Sequence, residues 1–441
     1  MRPIEIKEIF DEEKNEKEVC FRGWVYRRRI IGEKIFLVIR DASGIVQVVV
    51  KDPELVKKVQ PIQIEGSLAV KGIVHKDKRA PGGFEVEAKE IEIFDYGKPF
   101  PLRGREELDT IQKYRHLWIR SRWFSAVQKI KHSLVKNLRE WYIKDGWYEV
   151  FPPILVGNAC EETTTLFEVK YFDQKAYLSQ SAQLYLEALI FSLGKVFSLT
   201  PSFRAEKSRT RRHLHEYWHF EIEAVWYTLE DLMKVVEESL KYAISKTIEE
   251  RREDFELIKT KNGRNVEELK AAIEKPWKII TYREAIESLK KSGLNVEYGS
   301  DFGADEERTL TLQLDTPIFV VEYPRKLKAF YMLDKDENVV KNFDLLAPEG
   351  YGEIVGGSER EWRFEVLERK IKEWNLDKLK VKIGDEEIPA YQWYLDLRRF
   401  GSVPHSGMGL GIERLLMWVC KLEHIRDTLP FPRLREGWLY P

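Results

Sequence analysis

The 441 residues are 43% hydrophobic and 33% charged, with 73 basic against 74 acidic side chains and a net charge of -1. So long a chain exceeds what one hydrophobic core serves, so two or three structural units are expected, and any affinity for a polyanion must come from local basic patches rather than from the whole-molecule field. Cys20, Cys160 and Cys420 share no metal-ligand spacing and are too few for a disulfide framework, MRPIEIKEIFDEE lacks the apolar run of a signal peptide, and no stretch could span a bilayer, so a cytoplasmic protein without membrane attachment is expected.

From Val19 to about Asp95 the chain reads as five short β-like runs, VCFRGWV, KIFLVIRD, GIVQVVV, SLAVKGIV and FEVEAKEIEIF, separated by turn signals such as Asp41 to Gly44 and Pro81-Gly82-Gly83. Five strands in so short a span suit a small closed barrel of the oligonucleotide-binding (OB) type, placed at residues 1–100. The aperiodic stretch GKPFPLRGREELDT reads as part of a hinge over 101–120. Beyond it Val127, Ile130, Leu134, Leu138 and Trp141 recur at helical spacing, with a stop at Lys144-Asp145-Gly146, followed by the extended segment YEVFPPILV. Residues 228–256 read as a long amphipathic helix and 257–300 as a mixed, charged insertion; residues 121–441 form the second domain, giving an α+β fold. The abundance of Lys, Arg and Glu follows the compositional direction of proteins from hot environments.

The chemistry concentrates in residues 195–226, two β-like runs joined by a basic loop. In KVFSLTPSFRAE alternation puts Ser198, Thr200, Ser202, Arg204 and Glu206 on one face and Phe197, Leu199 and Phe203 on the other; in WHFEIEAVW it gathers His219, Glu221 and Glu223 against Trp218, Phe220 and Ile222. The loop KSRTRRHLHEY offers Lys207, Arg209, Arg211, Arg212 and His213 to phosphate oxygens. A solvated hairpin with a charged tip would look the same, but two further segments keep it company. DLLAPEGYGEIVGGSER combines Asp344, Glu353 and Arg360 with glycines, and GSVPHSGMGLGIERLLMWV sets Gly407, Gly409 and Gly411 just before Arg414 and an apolar helix. Neither a dinucleotide fingerprint nor a GxxxxGK[ST] loop is present.

Taken together these segments resemble the three signature motifs of class II aminoacyl-tRNA synthetases, in the aspartyl, asparaginyl and lysyl subgroup, and stand in the required order. Motif 1 resembles the helix and GWYEVFPPILV, with Pro153 at the position typical of a dimer interface; motif 2 resembles FRAEKSRTRRHLHEYWHFEIE and motif 3 GMGLGIER. The resemblance implies a homodimer whose antiparallel sheet of roughly six or seven strands, flanked by helices, binds ATP in a bent form on its open face. Arg204 would hold the α-phosphate and the amino-acid carboxylate, Glu206 the adenine amino group, Arg212 and His213 the outer phosphates. Tyr217 would stack under adenine with Arg414 over its other side, beside Gly411, and Glu353 with Asp344 would hold magnesium. Arg204 and Arg414 would stabilise the charge of the displacement, and no protein nucleophile is required.

By the same resemblance the amino acid would be asparagine and the partner tRNA-Asn. In the aspartyl family a QSPQLYK-like segment supplies a lysine for the substrate carboxylate; here YLSQSAQLYLE has Leu186 in its place, with Gln183 retained in the pocket, and Glu221 stands where the aspartyl family tends to carry Asp. A carboxylate accepts from an amide NH2 and repels a second carboxylate, while Arg360 can donate to the amide oxygen. Glu161 matches the acid expected at the substrate ammonium, but the glycine-rich loop usual after motif 1 reads NACEETTTLFEV here. In the barrel, Phe36 would stack on the central anticodon base, with Arg29 and Gln47 reading base edges, unless Phe36 is simply barrel filler. The competing readings are an aspartyl enzyme, which the missing lysine disfavours; an asparagine synthetase-like paralogue, which would lack the anticodon domain; and an inactive tRNA-binding paralogue, which would have lost Arg204, Glu206, Glu353 or Arg414.

Overall fold

The computed structural model describes residues 2–440 apart from 105, 161–164, 207–209 and 436–438, and forms two compact units, Met1–Tyr114 and Arg115–Pro441. In the first, β1 (Glu18–Ile31), β2 (Lys34–Arg40), β3 (Ile45–Val50), β4 (Ser67–Lys76) and β5 (Phe84–Asp95) close into a barrel in the order β1-β2-β3-β5-β4. Alternation explains the closure: Val19, Phe21 and Val25 of β1, Ile35, Leu37 and Ile39 of β2, and Val46 and Val48 of β3 fill the interior while the residues between them turn outward. With 14 residues, β1 pairs with β4 through its first half and with β2 through its second, bending at an irregularity between Val25 and Arg27. Register sets Arg29 opposite Phe36 and Val38 opposite Gln47, so Arg29, Phe36 and Gln47 share the outer face. Phe36 therefore is not barrel filler. Arg28 points elsewhere, donating to the Gln60 and Ile62 carbonyls at 2.6 Å each.

The second unit is built on an eight-stranded sheet. Its strands are β6 (Tyr148–Glu149), β10 (Lys195–Phe203), β11 (Glu216–Val225), β12 (Lys278–Thr281), β13 (Ile318–Val321), β14 (Asn342–Ala347), β15 (Gly352–Glu359) and β18 (His405–Gly411), in the order β12-β13-β14-β15-β18-β11-β10-β6. The six inner strands are antiparallel, as expected, and each edge adds a short parallel strand. One of these, β12, comes from the 257–300 segment; four residues are too few to show a period. Strands β7 (Leu155–Val156), β8 (Glu168–Tyr171) and β9 (Gln174–Leu178) form a small separate sheet, and β16 (Lys380–Ile383) with β17 (Glu386–Pro389) a two-stranded ribbon.

One face of the large sheet is closed by helices α2 (Arg122–Lys144), α4 (Leu229–Glu250) and α9 (Ile412–Cys420). Val127, Ile130, Leu134 and Leu138 of α2 enter one core with Phe197 of β10, Phe220 and Ile222 of β11 and Leu410 of β18, the apolar faces read from alternation. Ser121 Oγ accepts from Phe124 N at 3.3 Å to start α2, and the chain leaves it through Gly146 at φ 79°, a left-handed position that suits glycine. The opposite face carries α3 (Gln183–Leu193) at one end, whose Leu186 and Ile190 cluster with Val196 of β10, and at the other the helix Tyr282–Lys291, whose Ile286 and Leu289 cluster with Ile318 and Val320 of β13, and it is open between them. No helix among the described residues is long and apolar enough to cross a membrane.

Candidate active site

Strand register lays out the open face. Asp344, Gly356, Gly409, Glu221 and Ser198 form one row across five strands, and Asn342, Ser358, Gly407 and Glu223 lie in the next. The glycines of β18 are required by what crosses them. A β-carbon at Gly407 would stand 2.0 Å from Glu223 Oε1, and one at Gly409 would stand 2.3 Å from His219 Nε2. Gly411 differs, since a β-carbon there would meet only the Arg414 side chain at 3.6 Å, an ordinary contact.

Arg204, Glu206, Arg212, His213, Tyr217, Glu353, Gly411 and Arg414 all line one cleft on this face, so the residues that the family resemblance assigns to ATP are brought together, while Arg211 of the basic loop does not line it. Arg204 Nη1 lies 3.8 Å from Glu206 Oε1, with its guanidinium 5.8 Å from the Tyr217 ring. His213 Nε2 is 3.5 Å from the other Glu206 oxygen, and burial together with Arg414 and Arg212 lowers its pKa. Arg212 donates to Glu307 Oε2 at 2.6 Å and to the Glu353 carbonyl at 2.9 Å; Arg414 donates to Glu353 Oε2 at 2.7 Å. Glu307, on helix α6 (Ala304–Thr311), also accepts from Glu353 N at 2.7 Å. Lys207, Arg209 and Glu161 lie outside the described residues.

Asp344 and Glu353 converge over Gly356: a β-carbon there would lie 3.4 Å from Glu353 Oε1 and 3.7 Å from Asp344 Oδ1. Lys328 donates to Asp344 Oδ2 at 2.6 Å while resting 3.9 Å from the Tyr323 ring centre. The two acids titrate apart. Burial, with the Glu353 charge nearby, lifts Asp344 to about 6 against the pull of Lys328, whereas Arg414, Lys328 and Arg212 overcome the effect of burial on Glu353 and hold it at about 2.

Further along the same face lies a buried group of charges. Arg360 donates to Glu223 Oε1 through Nε at 3.0 Å and Nη2 at 2.5 Å, and through Nη1 to Ser358 Oγ at 2.7 Å. Burial pushes Glu223 up to about 8 against the pull of Arg360. Glu221 accepts from Ala182 N at 2.8 Å and from Ser181 Oγ, which fixes its carboxylate at the start of α3. His219 Nδ1 stands 3.4 Å from the oxygen that Ser181 meets, while the oxygen that Ala182 N meets has a second lone pair. Gln183 Nε2 donates to Glu187 Oε1 at 2.9 Å.

Residues 107–435 match the family of tRNA synthetases class II (D, K and N), and residues 19–94 match the OB-fold nucleic acid binding domain. The chain belongs to the class II tRNA synthetases. It is 50% identical over 434 residues to the asparagine-tRNA ligase of Pyrococcus horikoshii and 49% identical over 430 residues to that of Thermococcus kodakarensis, covering 96% of both chains in each case. The crystal structure of asparaginyl-tRNA synthetase from Pyrococcus horikoshii complexed with asparaginyl-adenylate superposes with a TM-score of 0.93 at 49% identity over 100% of both chains.

Within this synthetase, sequence reasoning missed Glu307, Lys328 and Glu187, and it left Glu223 and His219 without roles. Glu307 sits in the acidic run ADEER and carries no distinguishing signal, whereas Glu187 is a lone charge inside the apolar helix QLYLEALIFSL, which was a usable one. The glycine contacts generate a prediction: Gly407→Ala displaces Glu223 and loosens Arg360. The KM for the amino acid in ATP-pyrophosphate exchange should then rise at least about tenfold while that for ATP moves less than about twofold. Equal loss for both substrates would show a general collapse of the sheet face instead.

Proposed function

We propose that this synthetase joins asparagine to tRNA-Asn. The asparagine carboxylate attacks the α-phosphorus of ATP, an O–P bond forms as pyrophosphate leaves, and the terminal ribose hydroxyl of the tRNA then takes the acyl group as AMP departs. Relatives named as asparagine-tRNA ligases, about half identical over nearly the full length, support this reading.

The observation that carries the choice of amino acid is the charge count in the pocket. Arg360 and Arg398 face three buried carboxylates, Glu187, Glu221 and Glu223, and burial lowers the pKa of the neighbouring His405. Whether or not Glu223 holds a proton, these groups sum to zero or to a negative charge, so none of the positive charge is in surplus for a second substrate carboxylate. Leu186, where a lysine would add one, is wholly buried beside Val196, the cross-strand partner of Glu223. An amide needs only a donor for its oxygen, supplied by Arg360, and an acceptor for its NH2, supplied by Glu221. Asparagine should therefore support ATP-pyrophosphate exchange at least about a hundredfold better in kcat/KM than aspartate, a difference of roughly 2.7 kcal/mol. Equal use of the two amino acids would overturn the assignment.

In this reading Arg204 holds the α-phosphate against the amino-acid carboxylate, Glu206 accepts from the adenine amino group, and Tyr217 and Arg414 enclose the base. Arg212 and His213 contact the outer phosphates, exchanging part of their hold on Glu307 and Glu206 for phosphate oxygens. Glu161 would take the substrate ammonium, and Gln183 would line the amino-acid pocket. Asp344 and Glu353, a pair of oxygen donors converging on one point, fit magnesium and would hold it, and it would supply positive charge against the phosphates. Lys328 and Arg414 keep that acidic pair oriented.

The outer barrel face carrying Arg29, Phe36 and Gln47 would read the anticodon. Replacing Phe36 with Ala should weaken tRNA charging by about 1 to 3 kcal/mol and leave pyrophosphate exchange intact. A simultaneous loss of exchange would mean that the barrel is not a separate reader.

We also propose a homodimer formed through motif 1. The edge strand β6 is only two residues long, and around it Tyr148 and Ile143 are more than half exposed and Phe151 is 83% exposed, an apolar display that a partner would cover. Sedimentation at micromolar concentration should give twice the mass of the 52.2 kDa chain. A species of single-chain mass would refute the interface.

A further inference from the structure

Glu187 lies one helical turn beyond Gln183 and has no exposed surface. A carboxylate so buried is costly unless its lone pairs are met, and here three donors meet them, with the His405 ring beside them. Arg398 Nη2 approaches at 2.5 Å and the Tyr394 hydroxyl at 2.7 Å, both from helix α8 (Gln392–Arg399); His405 Nε2 lies at 3.0 Å from the start of β18, and Gln183 Nε2 at 2.9 Å from α3 itself. The helix does not need this cluster for anchorage, since Leu184, Leu186 and Ile190 already bury its apolar sides.

The consequence falls on Gln183. An ionised carboxylate can only accept, so it compels the Gln183 amide to turn its NH2 toward Glu187. The other end of that amide, Oε1, makes no hydrogen bond among the described residues. We infer that Glu187 is a specificity-determining positioning residue: by holding the Gln183 NH2 it makes Gln183 present an oxygen to the amino acid, so the pocket offers acceptors to ammonium or amide NH2 groups and no additional donor to a side-chain carboxylate. A glutamine at 187 could donate as well as accept, which releases the Gln183 amide to turn and offer its NH2. This inference rests on the asparagine reading of the same site.

The test is ATP-pyrophosphate exchange with asparagine and with aspartate, in the unmodified enzyme and in Glu187→Gln, together with the KM for ATP. The asparagine-to-aspartate ratio of kcat/KM should fall at least about tenfold, mainly through the KM for asparagine, while the KM for ATP stays within about twofold. Because the single change leaves Arg398 buried without its carboxylate, the double change Glu187→Gln with Arg398→Met removes both charges and should show the same fall if the single variant does not fold. A folded variant with an unchanged ratio, or with equal losses on both amino acids and on ATP, overturns the inference and leaves the asparagine reading standing. An unmodified enzyme without preference for asparagine overturns the reading itself.

Discussion

A long charged side chain can lie across a β-sheet only where the neighbouring strand has no side chain in its way. The open face of this synthetase depends on that condition at β18, where Gly407 and Gly409 make room for Glu223 and His219 reaching over from β11. Because Glu223 lies over Gly407, Arg360 can be gripped from the adjacent strand β15 side, and a buried charge pair forms on the face. His219 lies over Gly409 in the same way. The same alternation that clears one side of β11 buries Phe220 and Ile222 on the other, so the sheet's stability and its chemistry are drawn from opposite faces of the same strands.

The second organising feature is that the cations of the face come with carboxylate partners. Arg414 is held by Glu353, Arg212 by Glu307, Lys328 by Asp344 and Arg360 by Glu223. Partly buried guanidinium and ammonium groups would otherwise be costly and would swing toward solvent; paired, they are oriented before any ligand arrives, the condition under which fixed charges stabilise a displacement at phosphorus. The opposite shifts of Asp344 and Glu353 come from the same arrangement, since Glu353 has three cations around it and Asp344 has Lys328 and a neighbouring acid.

Much of this was legible in the primary structure because it is local. Period-two alternation in β10 and β11 follows from the geometry of an extended chain, and the 3.6-residue repeat of α2 follows from that of a helix, so the apolar faces of these elements could be named from spacing alone. The cleft residues from Arg204 to Glu353 and Arg414 were likewise readable, since they sit in three short motifs whose order and composition resemble one family.

Other features are properties of pairs distant along the chain. The register that joins Glu223 to Gly407 and Ser358, the contact of Glu307 with Arg212 over 95 positions, and the gathering of Glu187, Tyr394, Arg398 and His405 arise only when strands and helices from separate segments meet. The outward direction of Phe36 belongs to the same class, because which side of an alternating strand faces the interior is decided by barrel closure. By itself the sequence determined the two-unit α+β plan, the family and most of the groups that would meet ATP, since each is encoded by neighbours along the chain. Only the tertiary structure decided which carboxylate pairs with which cation and which groups gather around Glu187, because those depend on distances of a few ångströms between segments that no spacing rule relates.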